Sequence, residues 1–240
     1  MYKNERHVKL LGDVWAEKLY LPMSSDYMKK LSRGLNKARV TQRIHPEQKN
    51  IFNAFWYTPF EEVRVVMLGQ DPYNNYDHFP SVPDGLAFSS GNNMVFPKSL
   101  EIILKKIEKE LYNGLDVDLL TVRSLHGWAR QGVFLLNSSL TVRHDHPRSH
   151  FKYWNKFTRY AVQRLNDRMA PIIWLLWGQD AKAFRPLITN SRHRIIESEH
   201  PIASSYASRE WDNKDCFIEV AKFMKDEYHE EIDWRDDLPY

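Results

Sequence analysis

Residues 63–75 read "VRVVMLGQDPYNN". Val63, Val65, Val66, Met67 and Leu68 form a nearly continuous apolar, β-branched run. Runs of this kind read as strands buried on both faces, the signature of a parallel sheet. Gly69 and Pro72 then stop the strand, and Gln70, Asp71, Tyr73, Asn74 and Asn75 follow. Three more runs end in the same way. "GVFLLNSSLTV" leads through 133–136 into Asn137, and "PIIWLLWGQD" through 172–177 into Gly178. "HRIIESEHP" leads from Ile195 and Ile196 toward Glu199, His200 and Pro201.

Helical patterns separate the runs. Residues 99–113 place Ile102, Ile103, Ile107 and Leu111 near helical spacing, with Ser99 as a cap after Pro97. Residues 153–168 carry the stripe Trp154, Phe157, Ala161, Leu165, and 215–229 the stripe Phe217, Val220, Ala221, Met224. Residues 15–33 read as helical too. Strands alternating with helices predict an α/β fold, a central, mainly parallel four-stranded sheet flanked by helices.

The whole chain agrees with that class. Its 240 residues suit one α/β domain, and 42% hydrophobic residues can form a substantial core. Lys and Arg number 34 against 31 Asp and Glu, a net charge of +3 that permits nucleic-acid binding without arguing for it. The single cysteine, Cys216, excludes an internal disulfide and a cysteine-built zinc or iron–sulfur site. No H-E-x-x-H pattern occurs, so no metal is expected. The charged start "MYKNERHVKL" lacks a signal-type apolar region, and no run approaches the ~20 apolar residues that span a bilayer. A cytoplasmic protein without membrane contact is expected.

In parallel α/β sheets, ligands bind beyond the carboxyl ends of the strands. Asp71, Asn137 and His200 each follow one of these runs. Taken singly, an Asp or Asn after a strand is a turn residue, and a lone His is a solvated one. If the strands are parallel, all three sit on one rim and can face a single pocket.

Five motifs occur in order: "GQDPY" (69–73), "GLAFS" (85–89), "LLNSSLTVR" (135–143), "LLWG" (175–178) and "HP" (200–201). Together they resemble the family-1 uracil-DNA glycosylases. The resemblance covers about 51–234, with 1–50 as a helical N-terminal part of the same domain. It implies excision of uracil from single- or double-stranded DNA by hydrolysis of the N-glycosidic bond, with no cofactor. It implies Asp71 as the residue that orients water and His200 as the donor to uracil O2. It implies Asn137 as reader of the base edge, Phe88 as the stacking ring, Tyr73 as the gate against a thymine methyl, and Gln70 as a main-chain contact. Pro72, Asn74, Ser99, Ile202, Ser204, Ser205 and Tyr206 fall where the family meets the DNA. Family members also meet protein inhibitors and replication proteins. A monomer is expected.

The sequence departs from the family in three places. Asn74 stands where the family has a phosphate-contacting histidine, and His78 is a candidate replacement. The loop between Tyr73 and Phe88 is longer than usual. "HPIASSYAS" (200–208) places Ser204 where the family has a minor-groove leucine wedge, leaving Tyr206 or Ile202 to serve instead. A larger preference for single-stranded DNA than the family shows is therefore expected. Two rivals remain: a DNA-binding or replication-associated scaffold with little activity, and a glycosylase with another base preference. Tyr73 and Asn137 oppose the second, and the intact set of pocket residues opposes the first.

Overall fold

The computed structural model describes residues 4–76, 82–92 and 94–235. In chain order the helices are α1 Glu5–Leu11, α2 Asp13–Lys18, α3 Tyr20–Ser24, α4 Asp26–Ala38, α5 Asn53–Tyr57, α6 Lys98–Leu111, α7 His126–Arg130, α8 Phe151–Asn166, α9 Gly178–Lys182, α10 Pro201–Tyr206 and α11 Cys216–Tyr228. The strands are β1 Ile44–His45, β2 Val65–Gly69, β3 Val133–Asn137, β4 Val142–Arg143, β5 Ile173–Trp177 and β6 Arg194–Ser198.

The four apolar runs form one sheet in the order β3-β2-β5-β6, and every pairing is parallel. The opening stretch supplies its central strand. Val65, Val66, Met67 and Leu68 are fully buried between β3 and β5. Each such side chain contributes about 1.5–3 kcal/mol through burial. The expectation of strands buried on both faces fails for β6. Its Ile195 and Ile196 are only half-buried: α5 and α7 cover the other edge strand, β3, which is fully buried, whereas the short α9 packs on β6. A second ladder, β1 antiparallel to β4, has only two residues per strand, too short for any periodicity to announce it.

The α8 stripe is buried as its spacing predicts. Helix α6 buries Ile103 and Ile107 along with Leu100 and Leu104, while Ile102 and Leu111 lie at the edge of the core. On α11, Ala221 faces solvent and Phe223 takes the inward position. Ser99 is not the cap of α6. It is the second helical residue, Pro97 occupies the N-cap, and no side chain caps that end.

The single helix expected over 15–33 is broken into pieces. Leu19 separates α2 from α3, and Ser25 ends α3 while its Oγ accepts the Met28 N–H to cap α4. These pieces are tied to the sheet by Trp15. Its ring stacks on Phe134 with centroids 5.1 Å apart, and its Nε1–H donates to the Thr58 carbonyl at 2.9 Å. Among the described residues no helix is long and apolar enough to cross a membrane.

Candidate active site

Because the strands are parallel and in register, β2 and β3 end side by side, with Gly69 opposite Asn137. A Cβ on Gly69 would lie 2.4 Å from Asn137 Oδ1. The missing side chain is therefore what lets the Asn137 amide stand at the strand end. Beyond Gly69 the chain turns across β3. The Gln70 carbonyl accepts from Ser138 Oγ at 2.8 Å and from the Ser139 N–H at 3.0 Å. That anchorage fixes where Asp71 begins.

Asp71 Oδ2 accepts the Arg148 main-chain N–H at 2.7 Å and Gln70 Nε2 at 3.0 Å. Its other oxygen, Oδ1, is buried with no hydrogen-bond partner among the described residues. Burial raises its pKa above the usual carboxylate value, and the two donors pull the other way. An oriented carboxylate with one unclaimed oxygen is equipped to hold a water molecule.

His200 follows β6 and caps α10. Its Nδ1 accepts the Ile202 N–H at 3.3 Å. Burial lowers its pKa, so the ring is neutral at neutral pH, and the occupied Nδ1 leaves the proton on Nε2. The ring is thus a fixed donor without a positive charge.

The "GLAFS" segment completes the wall. Phe88 is 7% exposed and adopts φ 66°, a left-handed conformation rare for a residue with a side chain. Its ring lies 6.0 Å from His200 and 5.4 Å from Trp177. The Phe88 carbonyl accepts the Tyr73 hydroxyl at 3.1 Å, which ties the Tyr73 ring to the Phe88 main chain. Below them, buried Asp84 accepts the Leu86 N–H through Oδ1 and the Ser89 hydroxyl through Oδ2. Burial pushes the Asp84 carboxyl up to about 6. Gly85 passes so close to the Asn50 carbonyl that a Cβ would lie 1.8 Å from its oxygen. Sequence reading found Phe88 but missed Gly69, Asp84 and Gly85, which hold the pocket's walls. Gly69 and Gly85 stand inside the quoted motifs, and Asp84 immediately before "GLAFS".

These residues enclose one pocket of about 180 Å³, lined by Gln70, Asp71, Tyr73, Phe88, Asn137 and His200 among others. Drug-sized ligands occupy roughly 300–1,000 Å³, so this space suits a single ring. A larger groove of about 950 Å³ lies on the N-terminal helices, between Tyr20, Met28, Leu35, Ile51, Phe52 and Trp154. No strand end opens into it.

The expected DNA-facing residues divide. Pro72, Asn74 and Ser99 also line the pocket. Asn74 Nδ2 is buried without a partner among the described residues. Ser204 is 3% exposed, and its hydroxyl donates to the Pro201 carbonyl at 2.7 Å. That inward position is incompatible with a wedge. Ile202 is half-buried, Ser205 is exposed, and Tyr206 is 83% exposed at the end of α10. His78 lies outside the described residues.

The uracil DNA glycosylase superfamily model matches residues 55–225. A uracil-DNA glycosylase of Anoxybacillus flavithermus is 38% identical over 229 residues, spanning 95% of this chain and 98% of that protein. One from Alkaliphilus oremlandii is 40% identical over 222 residues, spanning 92% and 95%. The crystal structure of mimivirus uracil-DNA glycosylase superposes with a TM-score of 0.83 at 25% identity, over 97% of this chain and 90% of that one. A variant of the mimivirus protein, solved in complex with UGI, gives 0.84 at 25% identity, over 97% and 91%. With a family model over most of its length and relatives near 40% identity, the chain belongs to the uracil-DNA glycosylase superfamily.

Proposed function

We infer that this protein is a uracil-DNA glycosylase of the family-1 type, a hydrolase that excises uracil from DNA and leaves an abasic site. The observation that carries the reading is the convergence of Asp71, Asn137 and His200, from the ends of three different parallel strands, on a pocket sized for one ring.

A base inside a duplex is out of reach, so the target nucleotide must rotate out of the stack and enter the pocket. Phe88 then covers the ring, a contact of about 1–3 kcal/mol per base. Asn137 supplies an acceptor and a donor together, matching uracil N3–H and O4. Cytosine presents the opposite polarity and would leave buried groups unpaired. Tyr73, tied to the Phe88 carbonyl, stands as a rigid ring against a thymine methyl.

The N-glycosidic bond breaks with its electron pair leaving on the base. The sugar becomes oxocarbenium-like and the uracil anionic. His200 donates Nε2–H to uracil O2 as that charge grows, acting as a preorganised neutral donor. The Asp71 carboxylate stabilises the cationic sugar, and its unclaimed Oδ1 orients the water that adds to the sugar carbon. The water's proton passes to the carboxylate and from there to solvent, the uracil anion takes up a proton in exchange, and the products are free uracil and an abasic deoxyribose.

Ser99 at the start of α6 suits a DNA phosphate through its hydroxyl or main-chain N–H. Tyr206 is the exposed large side chain on α10 and takes the wedge role in this reading; Ser204 does not. With an exposed tyrosine ring in place of the family's leucine and Asn74 in place of its histidine, single-stranded substrate is favoured. The same reading takes 1–240 as one domain, supported by the Trp15–Phe134 stack.

Incubation with a uracil-containing oligonucleotide in chelator, followed by cleavage at abasic sites, tests this directly. Release that vanishes in Asn137→Ala is expected. No release from either single or double strands by the wild-type protein would leave the scaffold reading in its place.

A further inference from the structure

Asp71 depends on a donor whose position is itself improbable. The Arg148 N–H that meets Asp71 Oδ2 comes from a residue at φ 61°, in the left-handed region that side chains disfavour. Arg148 is neither glycine nor asparagine, so something outside its own backbone holds it there. Its guanidinium Nη1 donates to both carboxylate oxygens of Asp180, at 2.5 and 2.7 Å. The guanidinium also lies 4.9 Å above the Phe151 ring. Asp180 stands in the first turn of α9, directly after β5, and its side chain is only 16% exposed. It is therefore mounted on the rigid sheet rather than on the loop it grips.

We propose that Asp180 is a positioning residue for the reaction, acting through Arg148 to hold the water-orienting carboxylate of Asp71. The chain of contacts runs from strand β5 to Asp180, to the Arg148 side chain, to the Arg148 N–H, and to Asp71 Oδ2. With Oδ2 pinned, Oδ1 points in one direction. Without Asp180 the Arg148 backbone relaxes to an ordinary negative φ, its N–H turns away, and Asp71 is free to rotate. Among the described residues, Arg148 and Asp180 are the charged groups that face Asp71, with Gln70 as its other donor. Asp180 also faces His200 and favours its protonated form. This proposal rests on the glycosylase reading above.

The test is a thermodynamic cycle in steady-state excision on a single-stranded uracil oligonucleotide, with melting temperatures as the check on folding. Asp180→Ala is expected to lower kcat by roughly 10- to 100-fold, the effect of one lost hydrogen bond to a charged group. Its KM is expected to stay within about twofold, the margin for sites that do not interact. On an Arg148→Gly background, where no side chain remains to be anchored and φ 61° is unstrained, Asp180→Ala is expected to cost no more than about a further twofold. Asp180→Asn retains an acceptor for the guanidinium and is expected to fall between wild type and Asp180→Ala. The acid limb of kcat should move to higher pH in Asp180→Ala. Loss of the N–H donor to Asp71 outweighs removal of the Asp180 charge. Asp180→Ala active within about twofold of wild type, or equally damaging on both backgrounds, would overturn the proposal. Should Asp180→Ala not fold, the same cycle run with Asp180→Asn decides it. An inactive wild-type protein would instead overturn the glycosylase reading.

Discussion

The floor of the pocket and the surface around its mouth are built by different means. On the floor, Asp71, Asn137 and His200 follow the ends of parallel strands, and each is fixed by main-chain contacts or by the absence of a neighbouring Cβ. At the mouth, the residues from Ile202 to Tyr206 lie on a six-residue helix, and Asn74 opens a long loop. In the proposed reading the five pocket residues Asp71, Tyr73, Phe88, Asn137 and His200 match the family pattern, while Asn74 and Ser204 at the mouth depart from it. Chemistry tolerates displacements of a fraction of an ångström, so it is carried by rigid strand ends. Grip on a flexible polyanion can be redistributed among loop residues, so it drifts.

Substitutions on the floor should damage single- and double-strand excision equally. Asp71→Asn is expected to cost about 10²–10⁴ in kcat on both substrates. The same residue sets the pH profile. Its raised pKa means that the active carboxylate is lost as pH falls, at a higher pH than for an exposed aspartate. His200, with its pKa lowered, contributes no loss on the alkaline side, because it is already neutral there. A profile of kcat against pH should therefore show a single acid limb, removed in Asp71→Asn. Gly69→Ala should cost on the order of 10²-fold, again on both substrates, because its Cβ displaces the Asn137 amide. A selective loss on duplex for either variant would break the separation of floor from mouth.

Substitutions at the mouth should act on duplex alone. Tyr206→Ala is expected to slow duplex excision roughly 5- to 10-fold through loss of ring stacking, and to leave single-strand rates unchanged. The smallest effect belongs to Asn74→His. It should steepen the salt dependence of DNA binding by at most about one phosphate contact when the imidazole is charged. Titrations at two pH values, one on each side of the histidine range, would register it.

The same contrast governs what was legible in the sequence. Residues 63–68, 133–136 and 172–177 announced their strands because burial on both faces leaves a continuous apolar run, whereas 195–196 announced a strand that is only half-buried. The residues after them announced the site because parallel pairing puts carboxyl ends together. Ser204 was misplaced because position in a motif carries no information about which side of a six-residue helix faces inward. The break-up of 15–33 was signalled by Pro22 and by the Ser25-Asp26 pair. Phe88 at φ 66° and the Arg148–Asp180 pair were out of reach. Positive φ at a bulky residue has no local code, and contacts between residues 32 apart arise only when the chain is folded.

The central claim is that uracil chemistry resides at the strand ends and DNA grip at the mouth, and that the two are separable. Single-turnover excision by wild type, Asp71→Asn and Tyr206→Ala on matched single- and double-stranded uracil oligonucleotides, in chelator, tests it most directly. The expected result is free uracil from both substrates with wild type, release slowed about 10²–10⁴-fold on both with Asp71→Asn, and a selective duplex defect with Tyr206→Ala. Wild-type protein that releases no uracil, or Tyr206→Ala that slows both substrates alike, would contradict it.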